Sequence, residues 1–159
     1  MKKTTITMSL AILLANSALA TGHTPFLVFE STNGPREPRY QNKTTCFIEE
    51  KTVSIKRHTG ALPDAFNETN ISFTSEVKNV DALIEIIHEA RKGKVKKSKH
   101  GAINGSETST YSMIELDRAA KVKLVPLLTT QGSYFVSKNT SEAAKKLIKF
   151  IDYNCNEQN

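Results

Sequence analysis

The chain has 159 residues and a formal net charge of +6 at pH 7, with 38% hydrophobic and 24% charged residues. This length fits one domain with a core of its own, and the sequence indicates no internal repeat and no second domain. Beyond the first 20 residues no segment is apolar enough to cross a membrane.

The first 20 residues have the layout of a secretory signal peptide. Lys2 and Lys3 form a cationic start, residues 6–14 are mostly apolar, and residues 18–20 read Ala-Leu-Ala, a small-x-small cleavage site. A transmembrane anchor is disfavoured, because the apolar run is well short of the roughly 20 residues that a spanning helix needs. The layout is bacterial in style, so we predict export to the periplasm or the exterior and a mature chain that begins near Thr21.

Residues 21–44 are predicted to form an irregular N-terminal arm, because they are rich in proline and in small polar residues. Within this arm, residues 26–29 are apolar and could add an edge strand. The remainder of the chain, residues 45–159, is predicted to form the folded domain.

The first part of this domain carries strand signals. Residues 44–57 fit either one long strand or a hairpin, and residues 60–70 read as a loop. Ile71, Phe73 and Val77 occupy alternate positions, which is the two-residue period of a strand with one buried face.

A helix is predicted from Val80 to Lys92. Asn79 is a suitable N-cap, Asp81 places a negative charge in the first turn, and Gly93 is a natural C-terminal stop. The apolar stripe at helical spacing consists of Val80, Leu83, Ile84, Ile87 and Ala90.

Strands are predicted again in the second half of the chain. Residues 110–116 and 121–128 form two of them, and a turn over 129–133 leads to a third at 134–136. Pro126 cannot donate a ladder hydrogen bond, so its strand is predicted to lie at an edge or to be bulged there.

A last helix is predicted to begin near residue 140, with Thr140 or Ser141 as its N-cap. Apolar residues then recur at steps of three and four, so one face of this helix points toward the core. The residues of this face are Ala144, Leu147, Ile148, Ile151 and Cys155.

The order of these elements predicts a single α+β domain with a mainly antiparallel sheet and two helices packed on one face. Cys46 and Cys155 are the only cysteines. In an oxidising compartment such a pair predicts a disulfide, which here would join a strand to the last helix. There is no C-x-x-C spacing and no nearby histidine, which argues against a catalytic or metal-binding thiol pair.

The positive charge is concentrated just after the first helix. Loss of Lys2 and Lys3 with the signal peptide would leave 20 cations, and six of these fall within residues 91–99 with no acid among them. Such a run can attract an anionic polymer or an acidic protein face. Alternatively it is a solvated segment, or a short exposed strand whose lysines discourage unwanted pairing. The six cations are Arg91, Lys92, Lys94, Lys96, Lys97 and Lys99.

The sequence contains no arrangement that defines an active site. The four histidines are not spaced as metal ligands, and neither an H-E-x-x-H motif nor a glycine-rich phosphate loop occurs, so no metal or cofactor is predicted. His58 and His100 are predicted to lie in loops among cations. Glu115 and Asp117 would share one face of a strand and are the carboxylates that such a histidine could use.

The leading hypothesis is a small exported binding protein without catalytic activity, which engages a protein or an anionic envelope polymer through the basic segment. An inhibitor or immunity-type role is compatible with its size and compartment. Nucleic acid is disfavoured as a partner, because the basic run lacks interleaved aromatics that stack on bases. The alternatives are nonspecific polyanion binding, which would weaken with salt, and an envelope-polymer hydrolase that uses His58 or His100 with Glu115 or Asp117.

Overall fold

The described part of the chain forms eight strands and two helices in this computed structural model. The predicted signal peptide, residues 1–20, lies outside the described residues. The strands are β1 (Leu27–Thr32), β2 (Asn42–Ile48), β3 (Thr52–Thr59), β4 (Asn67–Thr74), β5 (Val95–Lys99), β6 (Thr108–Leu116), β7 (Val122–Gln131) and β8 (Phe135–Asn139). The helices are α1 (Val80–Arg91) and α2 (Glu142–Asn156). The described residues are 26–33, 40–59, 67–74, 77–100, 107–116 and 122–156.

All eight strands form one sheet in the order β4-β3-β2-β1-β6-β7-β8-β5, and every neighbouring pair is antiparallel. The expectation that residues 26–29 add an edge strand is wrong, because β1 lies in the middle of the sheet between β2 and β6. Leu27, Val28 and Phe29 are all buried, so both faces of β1 are covered, as suits a central strand. β2 begins at Asn42, so the sheet takes in parts of the segment predicted as an irregular arm.

Of the two alternatives for residues 44–57, the structure shows the hairpin. Its turn is closed by the N–H of Glu49, which donates to the carbonyl of Thr52 at 2.9 Å. β4 begins at Asn67 and pairs with the whole length of β3, so the end of the predicted loop 60–70 is in fact strand.

Both helices pack on one face of the sheet, as predicted. α2 lies on β1, β2, β3 and β7, and α1 packs beside α2. The main core lies between the two helices and this face of the sheet. A smaller apolar cluster of Val28, Phe47 and Ile114 lies on the opposite face of the sheet. The buried residues of the main core are Leu27, Phe29, Cys46, Ile48, Val53, Ile55, Leu83, Ile87, Ala90, Met113, Leu127, Ala144, Leu147, Ile151 and Cys155.

The start of α1 is the one that the sequence predicts. Asn79 Oδ1 accepts a hydrogen bond from the N–H of Ala82 at 2.9 Å, which satisfies one of the free donors of the first turn. Leu83 and Ile87 are buried, whereas Ile84 is 36% exposed, so the buried stripe is narrower than the apolar one.

At the start of α2 the structure chooses between the two candidate caps. Ser141 Oγ accepts from the N–H of Ala144 at 3.1 Å and is the N-cap, whereas Thr140 bonds to the segment before β5. Ala144, Leu147 and Ile151 are buried, so the predicted apolar face of this helix does face the core.

Pro126 lies next to a bulge, one of its two predicted settings. The register between β6 and β7 shifts between Tyr111 and Ser112, which leaves Leu127 as the extra residue of β7. Leu127 is 1% exposed and belongs to the main core. β8 pairs with β7 only from Leu128 onward, so no ladder on that side requires an N–H from Pro126.

The predicted disulfide is present. Cys46 on β2 and Cys155 on α2 are bonded, with their Cα atoms 6.0 Å apart and a sequence separation of 109. The bond fastens the last turns of α2 to the sheet, and both cysteines are buried within the main core.

Candidate functional site

The basic segment of the sequence is the edge strand β5. It pairs with β8 on one side and has no described strand on the other. All five of its residues are exposed, including Val95 at 52%. The basic segment therefore forms the short exposed strand that was one of the interpretations of the sequence.

The start of β5 is held in place by hydrogen bonds between the turn that precedes it and the turn that follows β8. The buried side chain of Asn139 donates from Nδ2 to the carbonyl of Ala90 at 2.7 Å and accepts at Oδ1 from the N–H of Ser141 at 3.0 Å. The carbonyl of Lys94 accepts from the N–H of Thr140 at 2.9 Å. The turn from α1 into β5 is thus bonded to the turn from β8 into α2.

Two of the six predicted binding cations are engaged within the protein. Arg91 Nε lies 2.8 Å from Glu115 Oε1, which ties the end of α1 to β6. Lys92 Nζ lies 2.7 Å from Glu89 Oε1, and the hydrogen bond and charge of this lysine hold the pKa of Glu89 below its usual value. These two side chains are less available to a partner than the sequence alone suggests.

The other four cations are Lys94, Lys96, Lys97 and Lys99, and none forms an ion pair with a carboxylate of the described residues. Lys96 also lies directly opposite the exposed Lys138 of β8. Like charges directly opposite each other on neighbouring strands are destabilising. We call these five lysines the basic edge.

The two histidines considered for catalysis lie far apart, near opposite edges of the sheet. The prediction that His58 lies in a loop is wrong. His58 lies on β3, opposite Lys43 of β2 and Glu68 of β4. His100 follows β5, is exposed, and donates its backbone N–H to the carbonyl of Tyr134 at 2.6 Å.

The structure does not bring either histidine to Glu115. Glu115 lies on β6, three strand spacings from β3 in one direction and three from β5 in the other, which is roughly 14 Å each way. Its carboxylate is already paired with Arg91. Asp117, the other candidate carboxylate, lies outside the described residues.

A second site, which the sequence analysis missed, lies on the sheet face opposite the helices. It is a cleft of about 360 Å³. Its lining residues lie on or directly next to four neighbouring strands between Thr32 and Glu68, and strand pairing brings them together. The alternation of polar and apolar residues over the first half of β3, where Val53 and Ile55 alternate with Thr52, Ser54 and Lys56, is the one sequence signal that could have indicated this face. The lining residues include Lys43, Thr45, Phe47, Lys56, His58 and Glu68.

No family model, no curated protein and no solved structure matches this chain. Among the residues that the structure describes, no group of three or more His, Cys, Asp or Glu side chains could hold a metal ion. Neither of the two described helices is long and apolar enough to cross a membrane.

Proposed function

We propose that the protein is a small exported binding protein that engages an acidic segment of another protein through the basic edge. The observation that carries this proposal is that Lys96 and Lys138 lie directly opposite each other on neighbouring strands. Three further lysines lie beside them, and none forms an ion pair among the described residues. The arrangement is unfavourable in isolation and becomes favourable when anionic groups approach it.

Export is supported by the signal-peptide layout of residues 1–20. The disulfide between Cys46 and Cys155 is compatible with an oxidising compartment such as the periplasm or the exterior. An inhibitor or immunity-type role toward another exported protein fits this setting.

The edge position of β5 favours a protein partner over an anionic polymer. The outer edge of β5 carries backbone N–H and C=O groups that an extended segment can bond as a ninth strand. Lysines on an edge oppose pairing with a second copy of the same strand, since like charges would meet. They favour a strand that carries glutamate or aspartate, so attraction and repulsion together select an acidic partner.

The first test compares two variants of equal net charge on immobilised heparin. The basic-edge variant changes four lysines of β5 and its preceding turn to Gln, and the control variant changes four exposed lysines elsewhere to Gln. We expect the basic-edge variant to elute at a lower salt concentration than the natural protein, and the control variant to elute with the natural protein. Equal losses in both variants, or no loss in either, would contradict a local binding surface. The changed residues are Lys94, Lys96, Lys97 and Lys99 in the first and Lys51, Lys78, Lys146 and Lys149 in the second.

The second test separates strand addition from charge alone. The probe is a synthetic peptide of alternating Glu and Val, and its control is the same peptide with every backbone nitrogen methylated. Methylation keeps every side-chain charge and removes the N–H donors of both peptide edges, so we expect the unmodified peptide to bind more tightly. Equal affinity for the two peptides, with heparin binding retained, would mean that the partner is an anionic polymer.

A further inference from the structure

The cleft opposite the helices is built from one row of polar side chains that crosses four strands. Lys43 on β2 lies opposite Thr32 on β1 and His58 on β3, and His58 lies opposite Glu68 on β4. All four residues line the cleft, whose volume of about 360 Å³ is within the range of small-molecule sites. The cleft therefore has the size and the mixed polar lining of a ligand site.

The floor of the cleft contains a buried hydroxyl group that has no hydrogen-bond partner among the described residues. Thr45 is 7% exposed, and within the described part of the chain its hydroxyl makes no hydrogen bond. Burial of a hydroxyl without a hydrogen bond is unfavourable, and native proteins rarely leave one so. Phe47, on the same strand and face, is 3% exposed and forms an apolar base beside it. The hydroxyl is thus placed to bond a group that enters the cleft.

A cation stands next to this hydroxyl. Lys56 on β3 lies directly opposite Thr45, and it forms no ion pair with a carboxylate of the described residues. Lys43 lines the same wall, and its Nζ lies 3.3 Å from Glu30 Oε1. As far as the described residues show, an ammonium group without an ion pair and a hydroxyl without a hydrogen bond therefore lie side by side in the cleft. Both groups are donors, which is what an anionic oxygen requires.

We infer that this cleft binds a small molecule through a carboxylate or phosphate group held by Lys56 and Thr45. The site is separate from the basic edge, because β2 lies five strand spacings, roughly 24 Å, from β5. Its volume of about 360 Å³ fits one small anionic unit.

The test uses the full oxidised chain and three sugars of similar size. D-glucuronate carries a carboxylate, D-glucose 6-phosphate carries a phosphate, and D-glucose is the neutral match. The amide resonances of residues 43–47 and 54–58 are followed as each sugar is added. We expect saturable shifts with one or both charged sugars, which identifies the anionic group, and none with glucose. No saturable shift with either charged sugar would overturn the inference.

Two variants make the test specific. Lys56→Gln and Thr45→Val are each expected to weaken binding about tenfold, since each removes one hydrogen bond to a charged group. Thr45→Val must also leave the urea midpoint unchanged or raise it, because the hydroxyl has no hydrogen-bond partner among the described residues. A stability loss in Thr45→Val, or unchanged affinity in both variants, would contradict the assignment. Lys51→Gln, in the β2–β3 turn, is the control that keeps full affinity, and the basic-edge variant should keep it too.

Discussion

Asn139 occupies the space that a side chain at position 93 would need. A Cβ atom on Gly93 would overlap with the side-chain amide of Asn139. Asn139 is 4% exposed and bonds both Ala90 and Ser141, so it joins the end of α1 to the start of α2. Gly93 is therefore needed for close approach and not for a left-handed turn. Among the described glycines only Gly132 has a positive φ, of 49°.

Gly93→Ala is expected to lower the free energy of unfolding by about 1–3 kcal/mol, because Asn139 must give up its buried hydrogen bonds. Urea denaturation measures the change. In an Asn139→Ala background the same substitution should cost much less, since the clash is gone. An equal cost in both backgrounds would show that the two residues are not coupled.

The disulfide is expected to contribute strongly to stability. The double variant Cys46→Ala/Cys155→Ala should lose about 4–5 kcal/mol in the chain-entropy model for so long a loop, and strain or residual structure would reduce this figure. Urea denaturation with and without reductant measures the loss. Reductant should destabilise the natural protein and leave the double variant unchanged. A natural protein that is equally stable in reductant would contradict a structural role for the bond.

Tyr111 gives the protein a pH-dependent contribution to stability. Its hydroxyl donates to Asp152 Oδ1 at 2.7 Å, and burial together with this carboxylate raises the pKa of Tyr111 well above its usual value. A raised pKa favours the neutral form in the folded state. The contribution is therefore complete below the unfolded pKa of about 10 and is lost as the pH rises above it.

The stability difference between the natural protein and Tyr111→Phe should accordingly stay constant up to about pH 10 and then shrink. Urea denaturation at a series of pH values measures it. Asp152→Asn removes the acceptor charge and should reduce the dependence. A difference that grows above pH 10 would contradict the assignment.

Lys138→Glu should change stability and binding in opposite directions. The substitution replaces a like-charge pair with an opposite-charge pair across β5 and β8, which is worth about 0.2–1 kcal/mol. The same change removes positive charge from the basic edge, so retention on heparin should fall. Thermal denaturation and heparin elution measure the two effects. If thermal stability and heparin retention both rose or both fell, the proposal that the basic edge binds an anionic partner would be contradicted.

Local signals in the sequence predicted the helices and the disulfide. Asn79 caps α1 because its amide bonds the first turn, and Cys155 meets Cys46 because it falls on the buried stripe of α2. Gly93 was predicted to end α1, and it does follow the helix. Glycine is required there because Asn139, 46 positions away, packs against it, and no local pattern in the sequence contains that contact.

Features that depend on strand order could not be read from the sequence. β1 is central because β6 pairs with it, although 75 residues separate the end of one from the start of the other. The engagement of Arg91 by Glu115 and the position of Thr45 beside Lys56 likewise exist only once the strands are in register. Sequence reasoning identified the basic segment as a possible exposed strand, which the structure shows, but it missed the cleft, because a charge run is contiguous in the sequence and a cross-strand row is not.

Amide hydrogen exchange of the full oxidised chain with the alternating Glu-Val peptide tests the central claim most directly. Addition of a ninth strand should slow exchange at the outward-facing amides of Val95–Lys99 and leave the outer amides of β4, at the opposite edge, unchanged. Protection that is absent from β5, or that appears equally at β4, would contradict the account of β5 as the binding strand.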